Sequence, residues 1–212
     1  EVLITLSIIG VVAALTIPTV VKNYRYKMYA SQLQKTYSQL QTATKSVMED
    51  EMTNNFYQTT AGVKNAPGDC SKGPCYFAKK YLKTAMEDCG YTSSKKCVAD
   101  NYVTLNGTRA GRLIPNVNTT YCIQTINGAT VCFMNNEWTN SRTRITIDVN
   151  GPEPPNTVGL DAFIMNINTD GTFYDWGEPE DCGNGTSTIE DICSHAPGCL
   201  NKVIKNNWVI KD

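Results

Sequence analysis

The sequence predicts an α+β fold, in which a long N-terminal α-helix packs on an antiparallel β-sheet. Three observations predict it. An apolar run of 20 residues without a charge, Val2–Val21, leads into a helical seam that continues to about residue 50. Short segments with strand character follow, between Tyr121 and Trp176. All nine cysteines lie after the predicted helix, which indicates a disulfide-bonded domain in an oxidising compartment.

The composition limits the class of function. Lys and Arg number 19 and Asp and Glu 20 among 212 residues, so the formal net charge is −1. Without a basic surplus, we expect no specific nucleic-acid partner bound through its phosphates. The chain has one histidine and lacks the P-loop, G-x-G-x-x-G and G-x-S-x-G motifs. The sequence therefore favours a protein that is not an enzyme and requires no cofactor.

The apolar run is long enough to cross a bilayer. A helix rises 1.5 Å per residue, so Val2–Val21 would span roughly 30 Å, one hydrocarbon core. A cleavable signal peptide would have a basic start and a shorter apolar stretch. Here an acid, Glu1, precedes the run, and a polar helix follows it. We therefore predict a membrane-spanning segment over residues 1–21.

The helix is predicted to continue beyond this segment. No Pro or Gly occurs between Pro18 and Gly62, and apolar or small residues recur at alternating steps of four and three. This spacing gives the helix one face to lay on a domain. We divide the chain into a long helix over residues 1–52 and a globular domain over residues 53–212. The seam consists of Tyr26, Ala30, Leu33, Tyr37, Leu40, Thr44 and Val47.

Three residues of the apolar half need an explanation. Gly10 weakens a helix by about 1 kcal/mol relative to Ala, and Pro18 lacks the N–H that would bond the carbonyl of Ala14. One interpretation is a kinked membrane helix, where both residues are common; the other is local unwinding between them. Glu1 is costly in hydrocarbon unless it lies among headgroups or pairs with a cation of a neighbouring subunit.

The stretch EVLITLSIIGVVAALTIPTVV, Glu1 to Val21, resembles the N-terminal segment of type IV pilins and of type II secretion pseudopilins. Glu1 matches the family's glutamate, Gly10 its helix glycine and Pro18 its helix proline. The long amphipathic helix extends the likeness to about residue 50, and the family shares a helix packed on an antiparallel sheet. In that family a prepilin peptidase cuts after a glycine, and a tetrapeptide with a methylated N-terminus precedes the glutamate.

The resemblance implies a structural subunit of an extracellular type IV pilus, which is a helical homopolymer. Such a chain would reside in the inner membrane before assembly, and the inner-membrane assembly machinery would polymerise it. Glu1 would neutralise the N-terminal amine of an adjacent subunit, because an unpaired buried ion costs several kcal/mol. The stretch from Gly10 to Pro18 would correspond to the region that melts in assembled filaments. The fibre's role, in adhesion, motility, DNA uptake or secretion, stays open.

Other functions also stay open. A minor pilin or a pseudopilin of a secretion machine would carry the same N-terminal segment, and a surface binding module or a secreted enzyme could use it as an anchor. Lys22, Arg25 and Lys27 follow the apolar run, which by the positive-inside rule would place the domain in the cytoplasm. The cysteines favour the exterior instead, and prepilins of the family carry a basic leader that restores this orientation.

Local patterns predict the elements of the domain. Ala61–Cys75 contains three Gly and two Pro and reads as a loop, while Tyr76–Cys89 keeps helical spacing. Five strands are predicted after it, and Ile126-Asn127-Gly128 between the first two is a hairpin signal. The predicted strands are Tyr121–Thr125, Ala129–Met134, Arg144–Val149, Ala162–Ile167 and Thr172–Trp176.

The cysteine positions allow several pairings. A three-residue hairpin loop would place Cys122 opposite Cys132, so a cross-strand disulfide is expected there. Spacing does not determine the connectivity of the others, and the odd count leaves one thiol over within the chain. Further candidate local pairs are Cys70 with Cys75 and Cys89 with Cys97.

The last three cysteines surround the single histidine. Cys182, Cys193 and Cys199 with His195 could hold zinc. The alternative, which we favour, is a disulfide-stapled C-terminal loop with a surface histidine. Pilins often staple their C-terminal region in this way.

One loop could bind calcium. Asp148, Asn150 and Asp161 lie in the stretch Asp148–Phe163, and Ca²⁺ takes carboxylate, amide and carbonyl oxygens. A similar stretch recurs in pilin-like proteins, and some pseudopilins bind calcium through a loop after the sheet. The alternative is a Pro/Gly loop whose Asp and Asn side chains cap turns. Asp170 is a more distant candidate ligand.

Overall fold

A computed structural model describes residues 2–63, 69–82, 85–91, 97–111, 120–135, 143–175, 177–182 and 198–210. Three α-helices and eight strands lie in these ranges. Helix α1 is Val2–Asp50, α2 is Gly73–Tyr81 and α3 is Cys199–Lys205. The strands are β1 Ala85–Gly90, β2 Tyr102–Val103, β3 Arg109–Gly111, β4 Thr120–Thr125, β5 Thr130–Asn135, β6 Thr143–Asp148, β7 Ala162–Ile167 and β8 Phe173–Tyr174.

The main sheet is antiparallel throughout. Its strand order is β1-β4-β5-β6-β7-β8, and β2 pairs with β3 in a separate two-stranded ribbon. The α+β class is therefore confirmed, with a long N-terminal helix and an antiparallel sheet.

Alternation along the strands gives this sheet one apolar face. Tyr121, Phe133, Ile145 and Met165 lie side by side across β4 to β7, and all four are buried. The next row on the same face is Ile123, Val131, Ile147 and Phe163. Since side chains alternate between faces, the opposite face carries Thr130, Asp148 and the paired Cys122 and Cys132. Helices cover the apolar face, and Phe77 of α2 stacks edge-on against Phe133 at 5.6 Å.

The second half of α1 packs into the same core. Leu33, Leu40 and Val47 of the predicted seam are at most 1% exposed. Each contributes about 1.5–3 kcal/mol by burial. Tyr37 contacts the ring of Phe173 in β8 at 5.6 Å. The helix approaches the β7–β8 turn so closely that a Cβ on Gly171 would lie 2.6 Å from the sulfur of Met48. The predicted long helix is confirmed.

The structure corrects the prediction between residues 61 and 89. Helix α2 begins at Gly73, inside the predicted loop Ala61–Cys75, and ends at Tyr81. The predicted helix Tyr76–Cys89 is wrong in its second half, because Ala85–Gly90 is an edge strand that pairs with β4. The strands β4, β5, β6 and β7 lie within one residue of their predicted bounds. Of the last predicted strand, Phe173–Tyr174 is a strand and Trp176 lies outside the described residues.

Four disulfides join eight of the nine cysteines. The expected cross-strand bond forms between Cys122 and Cys132, which are direct partners in the β4–β5 register. Cys182 bonds to Cys199, so these two sulfurs do not offer the thiolates that the zinc alternative requires. Cys193 and His195 lie outside the described residues. The other bonds are Cys70–Cys75 and Cys89–Cys97, both of which were among the candidate local pairs.

A buried carboxylate connects β8 to α3. One oxygen of Asp175 accepts the N–H groups of Gly177 and Gly198 at 3.3 and 2.8 Å. The other accepts those of Leu200 and Asn201 at 3.0 and 3.4 Å. The side chain is 7% exposed. Because free N–H groups at the start of a helix need an acceptor, this carboxylate caps the first turn of the C-terminal helix.

We expect Asp175→Ala to lower the free energy of unfolding by about 1–3 kcal/mol, because four backbone N–H groups lose a charged acceptor. Denaturant unfolding of the full chain in detergent, with its disulfides intact, measures this loss. Asp170→Ala is the matched control, since Asp170 is exposed and caps a surface turn at Thr172. Equal losses in the two variants would contradict the assignment.

Candidate functional site

The apolar half of α1 has no partner within the described residues. Its 18-residue window of highest hydropathy has a mean hydropathy of 2.3 and is 0% buried. By length and composition this helix can cross a membrane. The core helix of a soluble protein would be mostly buried, whereas these side chains all face outward. The large exposed residues are Val2, Leu3, Ile4, Leu6, Ile8, Ile9, Val11, Val12, Leu15, Ile17, Val20 and Val21.

Three of the four side-chain hydroxyl groups in this half are satisfied within the helix. The hydroxyl of Thr5 donates to the carbonyl of Val2 at 2.8 Å, and that of Ser7 donates to Leu3 at 2.8 Å. Thr16 donates to the carbonyl oxygen four residues before it at 2.9 Å. Because an unsatisfied donor in hydrocarbon costs several kcal/mol, these bonds let the segment enter an apolar environment with its hydroxyls.

The predicted assembly residues are placed as follows. Gly10 and Pro18 both lie inside the continuous helix α1. A Cβ on Gly10 would meet nothing within 4 Å, so no contact in the single chain requires glycine there. Glu1 lies outside the described residues. Local unwinding between Gly10 and Pro18 and the pairing of Glu1 therefore stay predictions.

The candidate calcium loop holds two buried carboxylates whose charges interact. Asp148 ends β6, Asp161 precedes β7, and both are 0% exposed. Their chain positions are adjacent, because the N–H of Val149 donates to the carbonyl of Asp161 at 2.8 Å. The hydroxyl of Tyr102 donates to Asp148 Oδ2 at 2.5 Å. Sequence reasoning missed Tyr102, which reaches the site from β2, 46 residues earlier.

Both carboxylates also cap turns, as the alternative interpretation expects. The N–H of Asn150 donates to Asp148 Oδ1 at 3.2 Å. Asp161 accepts the N–H groups of Asn156 and Thr157 at 2.8 and 2.5 Å. A carboxylate has about four lone-pair sites, so these bonds leave acceptor capacity for a cation.

Two amide oxygens of the same loop are further candidate ligands. Oδ1 of Asn150 and Oδ1 of Asn156 are buried and have no hydrogen-bond partner in the structure. Buried acceptors are normally satisfied, so each needs a donor or a cation. Asp170 does not join them, because its carboxylate bonds Thr172 on an exposed turn. The described residues contain no group of three or more His, Cys, Asp or Glu side chains that could share a metal.

Burial dominates the electrostatics of the pair. It raises the pKa of Asp148 well above its ordinary range, and the neighbouring Asp161 raises it further. Burial also raises the pKa of Asp161 to about 6, although the N–H bonds of Thr157 and Asn156 act in the opposite direction. Burial likewise raises the pKa of the Tyr102 hydroxyl. The ionised pair is therefore costly, and a bound Ca²⁺ would offset its repulsion.

Comparisons with known proteins identify no relative. No family model, no curated protein and no solved structure matches the chain.

We expect calcium to raise the stability of the chain if the loop binds it. Extracellular calcium sites have dissociation constants of about 0.1–1 mM, so about 10 mM calcium would add roughly 1.4–2.7 kcal/mol to the free energy of unfolding. Calorimetric titration and thermal unfolding of the full chain in detergent measure binding and stabilisation. Asp161→Asn is expected to abolish both effects, and Asp170→Asn to keep them. The absence of a calcium-dependent heat at millimolar concentrations would exclude the site.

Proposed function

We propose that this chain is a structural subunit of a type IV pilin-like filament, which polymerises through helix α1. The observation that supports this proposal most strongly is the contrast in burial between the two halves of that helix. Residues from Tyr29 onward bury one stripe in the domain, while no residue of the apolar window is buried. A continuous rod that is apolar at one end and anchored at the other suits transfer from a bilayer to a bundle of like helices.

Two apolar environments can cover the exposed half in turn. Before assembly the hydrocarbon core of the inner membrane surrounds it, and the hydroxyls of Thr5, Ser7 and Thr16 already have internal acceptors. In the filament the apolar halves of neighbouring subunits replace the lipid. Helices then associate through close packing, because hydrocarbon and leucine side chains are equally apolar.

Glu1 would set the register of this packing. In an apolar bundle its carboxylate is stable only beside a cation, and the N-terminal amine of an adjacent subunit supplies one. The breakers Gly10 and Pro18 would let the helix unwind locally where neighbours crowd it. The resemblance of residues 1–21 to prepilins supports processing by a prepilin peptidase.

The disulfide-bonded domain supports an extracellular location for the assembled fibre. Four disulfides persist where no reducing pool acts on them, as outside the cell. They also limit the unfolded ensemble of a domain that must last without chaperones. We infer that the chain has a structural role and no catalytic role. We also infer that it is oriented in the membrane with its domain outside the cell.

Two alternatives would share these features. A minor pilin or a pseudopilin of a secretion machine would be scarce in a sheared surface fraction, and its deletion would impair secretion. A membrane-anchored binding module would stay monomeric in the membrane. A sheared fraction dominated by this chain supports a major pilin and excludes both alternatives.

We expect Glu1→Ala to block or strongly slow filament assembly, because it removes the charge that makes one register preferred. Counting filaments by electron microscopy on cells that express the full chain checks this. The domain should stay folded, since Glu1 precedes every residue of its core. Glu153→Ala, which removes an exposed carboxylate from a surface loop, is the control and should assemble normally. Filament counts for Glu1→Ala equal to those of the unsubstituted chain would overturn the pairing.

A further inference from the structure

Charge is segregated along helix α1. Residues 2–48 contain five basic residues and no acidic one, and three acids then follow in a row, Glu49 to Glu51. Parallel copies of this helix in register would place like charges side by side, which is unfavourable. Copies shifted along the axis would instead place acids beside bases. The five basic residues are Lys22, Arg25, Lys27, Lys35 and Lys45.

The acidic end of the helix carries an exposed apolar side chain. Met52 follows the last turn and is 93% exposed. Its φ of 49° lies in the left-handed region that favours glycine, so local folding does not explain a methionine there. We call Glu49–Met52 the acidic tip.

Glu49 is the acid of the tip that is available to a partner. Asp50 accepts the hydroxyl of Tyr81 at 3.0 Å, and Glu51 accepts the N–H of Thr60 at 2.7 Å. Glu49 is exposed, and no side-chain bond of Glu49 is found among the described residues.

A groove of complementary chemistry lies at the other end of the domain. It holds about 450 Å³ between α1 and the C-terminal segment Asn207–Ile210. Lys27 and the rings of Tyr26 and Trp208 line it. We call it the basal groove. Lys27 can pair with a carboxylate, and the two rings can contact a methionine sulfur, an interaction worth about 0.3–1.5 kcal/mol.

We propose that the acidic tip of one copy docks in the basal groove of the next copy, head to tail. The two surfaces differ and lie at opposite ends of the domain. Such a heterologous contact does not close on itself and generates an open helical filament. This inference rests on the proposed filament function and adds to it the contact between domains.

The helix sets the repeat of this contact. Lys27 and Glu49 are 22 residues apart in α1, which corresponds to about 33 Å along its axis. Copies joined by the docking are therefore shifted by about 33 Å. Neighbouring copies with smaller axial shifts contact each other along their apolar halves. The helix–helix contacts and the docking of tip in groove can therefore occur in the same filament.

Charge exchange tests the docking in the full chain. We expect Lys27→Glu and Glu49→Lys each to lower the yield of sheared filaments at least about fivefold, because each places like charges together. The double variant restores the opposite charges and should return the yield to within about twofold of the original. Lys35→Glu is the matched control, since Lys35 is exposed on the same helix but does not line the groove; it should assemble normally.

The outcomes separate the docking from the filament itself. Normal assembly of both single variants overturns the docking and leaves the filament function intact. If Lys27→Glu fails but Glu49→Lys assembles, then Lys27 acts on anionic lipid and the docking is overturned. If a single-site variant does not accumulate in the cell, the filament yield of the double variant decides the test. A double variant that forms no filaments contradicts the docking. The absence of filaments from the unsubstituted chain overturns both proposals.

Discussion

The continuity of helix α1 is the constraint on which the rest of the structure depends. A helix satisfies its backbone hydrogen bonds internally, so one rod can pass from an apolar environment to a folded domain without exposing polar groups. Its first half has no apolar cover within the described residues, and its second half forms part of the core through Leu33, Leu40 and Val47. The sheet in turn needs the helix, because its row from Tyr121 to Met165 is apolar and requires a cover.

The opposite face of the sheet is stabilised by different means. Tyr102 donates to Asp148 there, and Cys122 bonds to Cys132 across the strands. The hydrogen bond joins residues 46 positions apart in the chain, whereas the disulfide joins the two strands of one hairpin. A covalent bond and a buried polar hydrogen bond therefore stabilise this face, whereas apolar packing stabilises the other.

The residues show which parts could be predicted from sequence. The helix Val2–Asp50 and the strand Ala162–Ile167 were predictable because their patterns repeat over the whole element. Strand β1 was not, since Ala85–Gly90 has its conformation from pairing with β4 rather than from its own spacing. Helix α3 depends on Asp175, which is 24 residues before its first residue. In the candidate calcium loop, the oxygen-rich stretch indicated Asp148, Asn150 and Asp161, whereas Tyr102 reaches the site only through the fold.

The position of the helix breakers has a consequence for any assembly. Gly10 and Pro18 lie before Lys27, and the residues of α1 that form the acidic tip and the basal groove all lie from Asn23 onward. Unwinding between the breakers would change how the apolar halves pack without altering the distance from Lys27 to Glu49. The apolar half of α1 can therefore adapt to lipid or to neighbouring helices, while the distance between Lys27 and Glu49 stays constant. A subunit of the proposed filament would need both properties, and the order of residues along α1 combines them in one element.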